Sequence, residues 1–308
     1  MASNTRASLR RSAAGTSAFA GGRHGLLFAS PWLIGLLVFY GFPLIASVYF
    51  SFTSYSILQP GDFIGLQNYQ ELLRDELFWK SIYNTVYFTV FFVPLSIIFG
   101  VSLAMVLNMK VKGMAVYRTI FFLPTLVPHV ALAVLWMWLL NPGFGLVNGA
   151  LYAIGIEGPA WLGSETWSKP SLILMSLWGI GQAVVIYLAG LADIPQEYYD
   201  ASEVDGANWF QKTRTITLPL LTPVIFFNLV MGVIGAFQQF TLPYALTKGQ
   251  GTPANSMTFY VMYLYDNGFK FFKMGYASAM AWILFLVIMA LTAIIFVTSK
   301  RWVHYQGK

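Results

Sequence analysis

Side chains that could carry out covalent chemistry are scarce in this sequence. The 308 residues contain no cysteine, which excludes thiolate catalysis, thiolate metal sites and disulfides. A GxxxxGK[ST] phosphate-binding loop, a HExxH zinc pair and a GxSxG nucleophile turn are also absent. The sequence therefore argues against an enzyme, and it predicts no catalytic residue, no metal site and no cofactor bound by this chain.

Amide side chains are the remaining candidates for a functional site, because they could hydrogen-bond a polar solute. Gln182, Asn228, Gln238 and Gln239 each lie in a long apolar run. Asn228 and Gln239 have a spacing that predicts one shared helical face, and Trp178 lies one helical turn before Gln182. Amides in apolar helices also pack neighbouring helices together. Solute contact and helix packing both remain open from the sequence.

Six apolar runs are long enough to cross a membrane, and the four amides lie within them. A helix needs about 20 residues to cross roughly 30 Å of hydrocarbon, and 57% of the residues are hydrophobic while only 10% are charged. We predict an all-α, polytopic membrane protein with a flexible basic tail at residues 1–25 and a second tail at 299–308. Its six transmembrane helices are predicted at residues 26–50, 82–107, 119–140, 172–192, 220–242 and 277–298.

Ionisable groups are nearly missing from these runs. None contains Asp, Glu, Lys or Arg, and His129 is the only other titratable group besides the tyrosines. Carriers driven by ion gradients usually place such a group inside the helix bundle. His129 could relay protons, but we favour a structural role in which it caps backbone groups freed by Pro124 and Pro128, which predict a kink in the third run. If the protein pumps, its energy must come from another subunit.

Basic residues are distributed unequally between the two sides of the membrane. Twelve of the eighteen Lys and Arg residues fall in the two tails and in the second and fourth loops, which predicts that this side is cytoplasmic and that both termini lie there. They are scattered through short loops, so they indicate orientation and not nucleic-acid binding.

The polar stretch at residues 193–219, between the fourth and fifth runs, is predicted to form two short helices. The first should begin near Pro195, capped by Asp193, and end at Gly206, which suits a left-handed position. The second should be capped by Asn208, run through Lys212 or Arg214, and be ended by Leu218-Pro219 where the fifth span begins. Such a helix pair fits either a protein partner or the lipid headgroups.

The sequence of this loop resembles the EAA loop of ABC importer permeases, which is written EAA, three residues, Gly, nine residues, Ile-x-Leu-Pro. Here Asp200, Ala201 and Ser202 are followed after three residues by Gly206, and after nine more by Ile216-Thr217-Leu218-Pro219. Asp200 replaces the usual Glu and Ser202 the second Ala, so the charge and the small size are kept. The spacing matches throughout.

Other segments extend the resemblance over nearly the whole chain after the basic tail. They are similar to the permeases of carbohydrate and glycerol-phosphate importers of the maltose type. These segments are FIGLQNYQELL (63–73), NTVYFT (84–89), RTIFFLPTLVP (118–128) and MGYASAMAWILFLVIM (274–289).

The resemblance implies a type I ABC importer permease fold. Residues 26–81 would form the first transmembrane helix and an extracytoplasmic loop, and 82–298 the permease core of five helices. The implied partners are a second permease subunit, expected to be a different chain, a cytoplasmic ABC ATPase dimer that binds ATP and Mg²⁺, an extracytoplasmic substrate-binding protein and membrane lipid. The residues implied to couple to the ATPase are Glu197, Asp200, Ala201, Ser202, Asp205 and Gly206.

These observations lead to one functional hypothesis. The chain is predicted to be a non-enzymatic permease subunit of an ATP-driven importer for a sugar or related polyol, in a bacterial or archaeal cytoplasmic membrane. Gln182, Asn228, Gln238 and Gln239 are predicted to line its path. The alternative is a secondary carrier or channel for a small polar solute.

Overall fold

The computed structural model describes residues 18–304, with side chains described from residue 25 onward. Within this part of the chain, β-structure is limited to two isolated bridges between neighbouring turns. The helices are α1 (Ala18–Leu36), α2 (Phe42–Ser51), α3 (Gln67–Arg74), α4 (Glu76–Leu107), α5 (Met114–Phe122), α6 (His129–Leu139), α7 (Leu146–Ala153), α8 (Glu165–Trp178), α9 (Gly181–Ala192), α10 (Gln196–Val204), α11 (Trp209–Lys212), α12 (Leu218–Phe237), α13 (Thr241–Thr247), α14 (Tyr260–Tyr265) and α15 (Met274–Ser299).

Four helical stretches are long and apolar enough to cross a membrane without a sharp bend. They are Gly25–Ser51, Glu76–Leu107, Trp209–Thr247 and Met274–Ser299. Two further spans are bent helix pairs: α5 with α6 at 100°, and α8 with α9 at 49°. Counting each bent pair as one span gives six within the described residues, and the all-α polytopic class is confirmed.

The third span is broken rather than kinked. Val127, which precedes Pro128, is extended with ψ at 124°, because the proline ring disfavours a helical conformation in the residue before it. A short 3₁₀ turn, Leu123–Leu126, connects α5 to this break. The side chain of His129, the first residue of α6, is exposed and makes no hydrogen bond within the described residues, so the predicted capping role is wrong.

The fourth span breaks between Trp178 and Gln182. The helical turn predicted to join these two side chains is therefore interrupted, since α8 ends at the first and α9 begins at Gly181. A Cβ atom at Gly181 would lie 2.6 Å from the carbonyl oxygen of Phe121 in α5. Close backbone contact between α5 and α9 thus requires a residue without a side chain at the break.

The centre of the bundle is α4, which packs against α8, α9 and α12. Gly100 of α4 lies directly against the ring of Tyr187 in α9, where a Cβ atom would come within 2.8 Å of the ring. Ala104 and Tyr187 are almost completely buried, together with Leu191 and Leu221. Small residues on α4 therefore set how closely α9 and α12 approach it.

The start of α4 is tied to the far end of the chain by Asp75. Its carboxylate caps α4 by accepting from the backbone N–H groups of Leu77 and Phe78. The hydroxyls of Tyr263 and Tyr276 donate to its other oxygen, the latter at 2.6 Å. A residue predicted only as part of an outer loop therefore joins α4 to α14 and α15.

The first span lies at the edge of the bundle. Within it, α2 packs on α15, and Trp282 donates from Nε1 to Ser47 Oγ at 3.1 Å. Large apolar side chains such as Phe28, Trp32 and Phe39 are more than two-thirds exposed, as expected for a lipid-facing helix. Residues 18–25, predicted as the end of an irregular tail, form the first turns of α1, and the preceding residues lie outside the described part.

Candidate functional site

Residues 193–219, which were predicted to form two short helices, follow directly after α9. Asp193 does not cap α10. Its backbone is still helical (φ −78°, ψ −10°), and it terminates α9 instead. A side chain caps a following helix from an extended backbone, and that conformation occurs at Pro195, directly before Gln196. The predicted helix is present, but the predicted cap is wrong.

The end of α10 is a glycine stop, as predicted. Gly206 has a left-handed backbone with φ at +75°. Its N–H donates to the carbonyl of Glu203, and the N–H of Ala207 donates to the carbonyl of Ser202. These two bonds define a Schellman motif, which fixes the direction in which the chain leaves the helix.

The second short helix, α11, is capped as predicted. Asn208 and Gln211 exchange hydrogen bonds of 2.8 and 2.9 Å between their side chains and backbone N–H groups. The α-helical part ends at Lys212, one of the two predicted ends, but the predicted break at Leu218-Pro219 is wrong, because α11 continues into α12 through one π-helical turn, Thr213–Thr217. Pro219, which has no backbone N–H, lies in the first turn of α12, directly after this π-helical turn.

Three contacts hold this loop together and attach it to the bundle. Ile194 is buried in the cluster that contains Leu107 and Leu221. The hydroxyl groups of Tyr199 in α10 and Thr217, just before α12, lie 3.0 Å apart. An ion pair of 2.7 Å between Glu203 and Lys212 joins α10 to α11. The two short helices are thereby held as one unit on the start of α12.

The free side of this unit is both acidic and apolar. The predicted coupling residues Glu197, Asp200, Ala201, Asp205 and Gly206 are exposed, and Ser202 is half-buried with its hydroxyl donating to the carbonyl of Tyr199. The side chain of Asp200 accepts a hydrogen bond from Gln196 one turn earlier. Large apolar side chains also project from the same unit: Tyr198, Val204, Trp209 and Phe210.

The predicted amides separate into two groups. Gln182 and Asn228 line one cavity of about 350 Å³ between α4, α9 and α12. The amide nitrogen of Asn228 donates to the carbonyl of Val224 within its own helix. Gln238 and Gln239 are not among the lining residues of this cavity, because α12 ends at Phe237. The helical face predicted to link Asn228 with Gln239 therefore does not exist.

Serine side chains also line this cavity, although the sequence did not predict them as part of the path. They are Ser96 of α4 and Ser176 of α8, and both donate to backbone carbonyls of their own helices. The four-residue spacing of small residues along α4 was a signal for Ser96, whereas no local pattern marks Ser176. Among the described residues that line the cavity, none is Asp, Glu, Lys, Arg or His.

Clusters of metal ligands are also missing from the part of the chain that the structure describes. No three His, Asp or Glu side chains gather where they could hold one ion. The arrangement consists of a mainly apolar cavity with amide and serine side chains in its wall, inside a helical bundle, and a loop attached to one of the cavity-lining helices. Its amide and hydroxyl side chains can hydrogen-bond a polar solute.

A helical bundle with these spans is typical of a multi-span membrane protein. Residues 96–304 match the family described as binding-protein-dependent transport system inner membrane component, and the chain belongs to this family. It is therefore a permease subunit of a binding-protein-dependent ABC importer.

Curated relatives agree with this family. The chain is 42% identical over 287 residues to the probable ABC transporter permease protein YesP of Bacillus subtilis, covering 92% of this chain and 93% of the relative. It is 34% identical to the sulfoquinovosyl glycerol transport system permease protein SmoG of Agrobacterium fabrum, covering 87% of each.

A solved structure shows the same fold. A chain from the crystal structure of a bacterial alginate ABC transporter, in complex with an alginate pentasaccharide-bound periplasmic protein, matches with a TM-score of 0.81 and 26% identity. The match covers 92% of this chain and 96% of that chain. The permease fold predicted from the sequence is thereby confirmed.

Proposed function

We propose that this chain is a membrane-spanning subunit of an ATP-driven importer for a sugar or related polyol, and that residues 193–219 couple it to a separate ATPase. The observation that carries the proposal is a mechanical connection. The hydrogen bond between Tyr199 and Thr217 joins α10 to the start of α12, and the same α12 carries Asn228 into the cavity. A force on the loop would therefore move a wall of the cavity.

Charge supports a protein partner for the loop over a lipid surface. Within α10, Glu197, Asp200 and Glu203 are acidic and no residue is basic. Anionic headgroups would repel this helix, whereas amphipathic helices that rest on membranes carry Lys and Arg on their polar face. Exposed Trp209 and Phe210 beside the acidic helix supply the aromatic contacts that are enriched in protein interfaces. We assign this surface to the ATPase.

The orientation follows from the basic residues. The loop lies on the side with twelve of the eighteen Lys and Arg residues, so we place it and both termini in the cytoplasm. ATP and Mg²⁺ would be bound by the ATPase dimer on that side. A second permease subunit would complete the path, and a binding protein would deliver the solute from the other side.

A sugar or polyol suits the cavity. Its amide and hydroxyl groups, from Gln182, Asn228, Ser96 and Ser176, match hydroxyl-bearing solutes, and Phe92 adds an aromatic side chain. The names of several relatives point the same way, since they include lactose and trehalose/maltose transport permeases. We extend that solute class to this chain as part of the proposal.

The second candidate is a secondary carrier or channel. It is disfavoured because ion-coupled carriers place ionisable groups within the bundle, and the described residues that line the cavity include no acidic, basic or histidine side chain. An ATPase partner supplies the missing energy source.

One reconstitution experiment distinguishes the ATP-driven importer from the secondary carrier. Affinity purification of the tagged chain in mild detergent, followed by mass spectrometry, should recover an ABC ATPase, a second permease and a binding protein. In proteoliposomes made from that complex, uptake should require ATP and be blocked by vanadate. Uptake that persists without ATP and collapses when an ionophore dissipates the ion gradients would establish the secondary carrier instead.

A further inference from the structure

A second cavity, formed by α4 and α8, has no role in the proposal above. It lies at the end of the bundle opposite the coupling loop, because α4 ends beside that loop at Leu107. As α4 has 32 residues and is about 48 Å long, its first turns reach beyond a hydrocarbon layer of roughly 30 Å. The cavity has a volume of about 490 Å³ and is lined by Lys80, Tyr83, Tyr87, Glu165, Thr166 and Lys169.

The unusual member of this set is Lys169, which is only 6% exposed. Its neighbour Lys80 forms an ion pair of 2.6 Å with Glu165. No carboxylate among the described residues lies within 4 Å of Lys169 Nζ, and its ammonium group donates no hydrogen bond there. Burying an ammonium group without an anionic partner is costly. The lining contains two lysines and one carboxylate, so the cavity has an excess of one positive charge.

Aromatic rings occupy the position beside this ammonium group. Lys169 Nζ lies 5.7 Å from the ring centre of Tyr83 and 5.6 Å from that of Tyr87, within the range of cation–π attraction. Phe91 continues the row, with its ring centre 4.7 Å from that of Tyr87. The Thr166 hydroxyl also lines the cavity and makes no hydrogen bond within the described residues. A row of partly exposed rings next to a cation suits a sugar ring that bears a carboxylate.

We propose that this cavity binds the carboxylate of an acidic sugar on Lys169, and hence that the solute class of the importer is uronic-acid-containing saccharides. This inference rests on the proposed function. A lipid phosphate would supply the same charge, and the experiment below separates a lipid from the acidic sugar. The carboxylate would lie between the ammonium group and the Thr166 hydroxyl, and the sugar ring against the tyrosines.

Equilibrium binding to the assembled complex in phosphatidylcholine nanodiscs tests the inference without ATP. The probes are tritiated digalacturonate and tritiated galactobiose, which differ in carrying carboxylates or hydroxymethyl groups. Digalacturonate should bind more tightly. Lys169→Met should weaken its binding about tenfold and leave galactobiose unaffected, because one charge-assisted contact is lost. Lys169→Arg should restore most of the affinity, and Lys248→Met, at an exposed lysine elsewhere, should change nothing.

Several outcomes would overturn the inference. They are equal binding of the two probes, no binding of digalacturonate, or unchanged affinity in Lys169→Met complexes that contain all subunits. Phosphatidylglycerol found bound to the wild-type complex and lost in Lys169→Met, with no digalacturonate binding, would assign the cavity to lipid. Any of these results can occur in a complex whose uptake is ATP-dependent, so each rejects the acidic solute and leaves the proposed function intact.

Discussion

The hydroxyl groups of Tyr199 and Thr217 lie 3.0 Å apart and form the only described side-chain hydrogen bond between α10 and the segment that leads directly into α12. Thr217 is buried and Tyr199 packs against the cluster around Leu221, so water has little access to this bond. A short exposed helix is thereby attached to a helix that lines the solute cavity.

Removing this bond should weaken coupling without removing the loop. Tyr199→Phe and Thr217→Val each delete one partner, at a cost of about 1 kcal/mol. We expect normal co-purification of the ATPase, but less solute transported per ATP hydrolysed in proteoliposomes. Tyr198→Phe is the matched control, since that neighbouring hydroxyl makes no hydrogen bond within the described residues. Equal transport ratios in all three variants would show that the bond transmits nothing.

Gly206 offers a direct test of the docking surface. A β-branched residue at its left-handed position is strained by about 1–2 kcal/mol, so Gly206→Val should redirect the chain after α10. The variant should reach the membrane normally, yet bind less ATPase or show no solute-stimulated ATP hydrolysis. Asp200→Lys, which reverses a charge on the same helix, should act in the same direction.

Gly155 supplies a closely matched control for this variant. It has φ at +79° and ends α7 with the same pair of backbone hydrogen bonds. A Cβ atom added at either glycine would meet no other atom within 4 Å. Gly155→Val therefore introduces similar strain at another turn and should leave ATPase binding unchanged. Equal loss of ATPase binding in both valine variants would indicate general destabilisation instead of a docking defect.

A substitution at Asn228 tests whether its amide contacts the solute or only packs helices together. Asn228→Leu removes an amide from the cavity wall, and a sugar hydroxyl left without its partner costs about 1–3 kcal/mol. Transport should therefore fall more than the amount of assembled complex, when both are measured in the same membranes. Met231→Leu, an apolar exchange in the same cavity, should preserve both quantities. A parallel loss of complex and transport in Asn228→Leu would assign the amide to packing.

The hydrogen bonds to the Asp75 carboxylate predict that the folded protein loses stability at acidic pH. Burial acts to raise the pKa of Asp75, but hydrogen bonds from Tyr263 and Tyr276 and from the backbone N–H groups of Phe78 and Leu77 outweigh it and hold that pKa below its ordinary value. The stability from this depressed pKa is complete above the unfolded value of about 3.9 and is lost as the pH falls through the folded pKa.

Thermal unfolding of the purified chain in detergent checks this expectation. The midpoint of the wild-type protein should drop between neutral pH and pH values below about 4, and Asp75→Asn should show a lower midpoint at neutral pH with a smaller drop. Asp62→Asn, at an exposed carboxylate whose side chain makes no described hydrogen bond, should follow the wild type. A full acid-induced drop in Asp75→Asn would contradict the assignment.

Features encoded by local chemistry were predictable from the sequence. The second and sixth spans follow from uninterrupted apolar length, and both appear as single helices, α4 and α15. The stop at Gly206 and the cap at Asn208 follow from turn and capping preferences that involve only neighbouring residues. The family pattern of the loop was readable for the same reason, because its residues are contiguous.

The tertiary structure alone decided features that depend on residues distant in the chain. Asp75 meets Tyr263 and Tyr276, Gln182 and Asn228 line one cavity, and Lys169 is buried against Tyr83. No sequence period encodes these encounters, since helix packing sets them. The break in the fourth span likewise lies where another helix approaches closely. Local propensity determines where helices start and end, whereas the cavity and the buried charge arise from how those helices pack together.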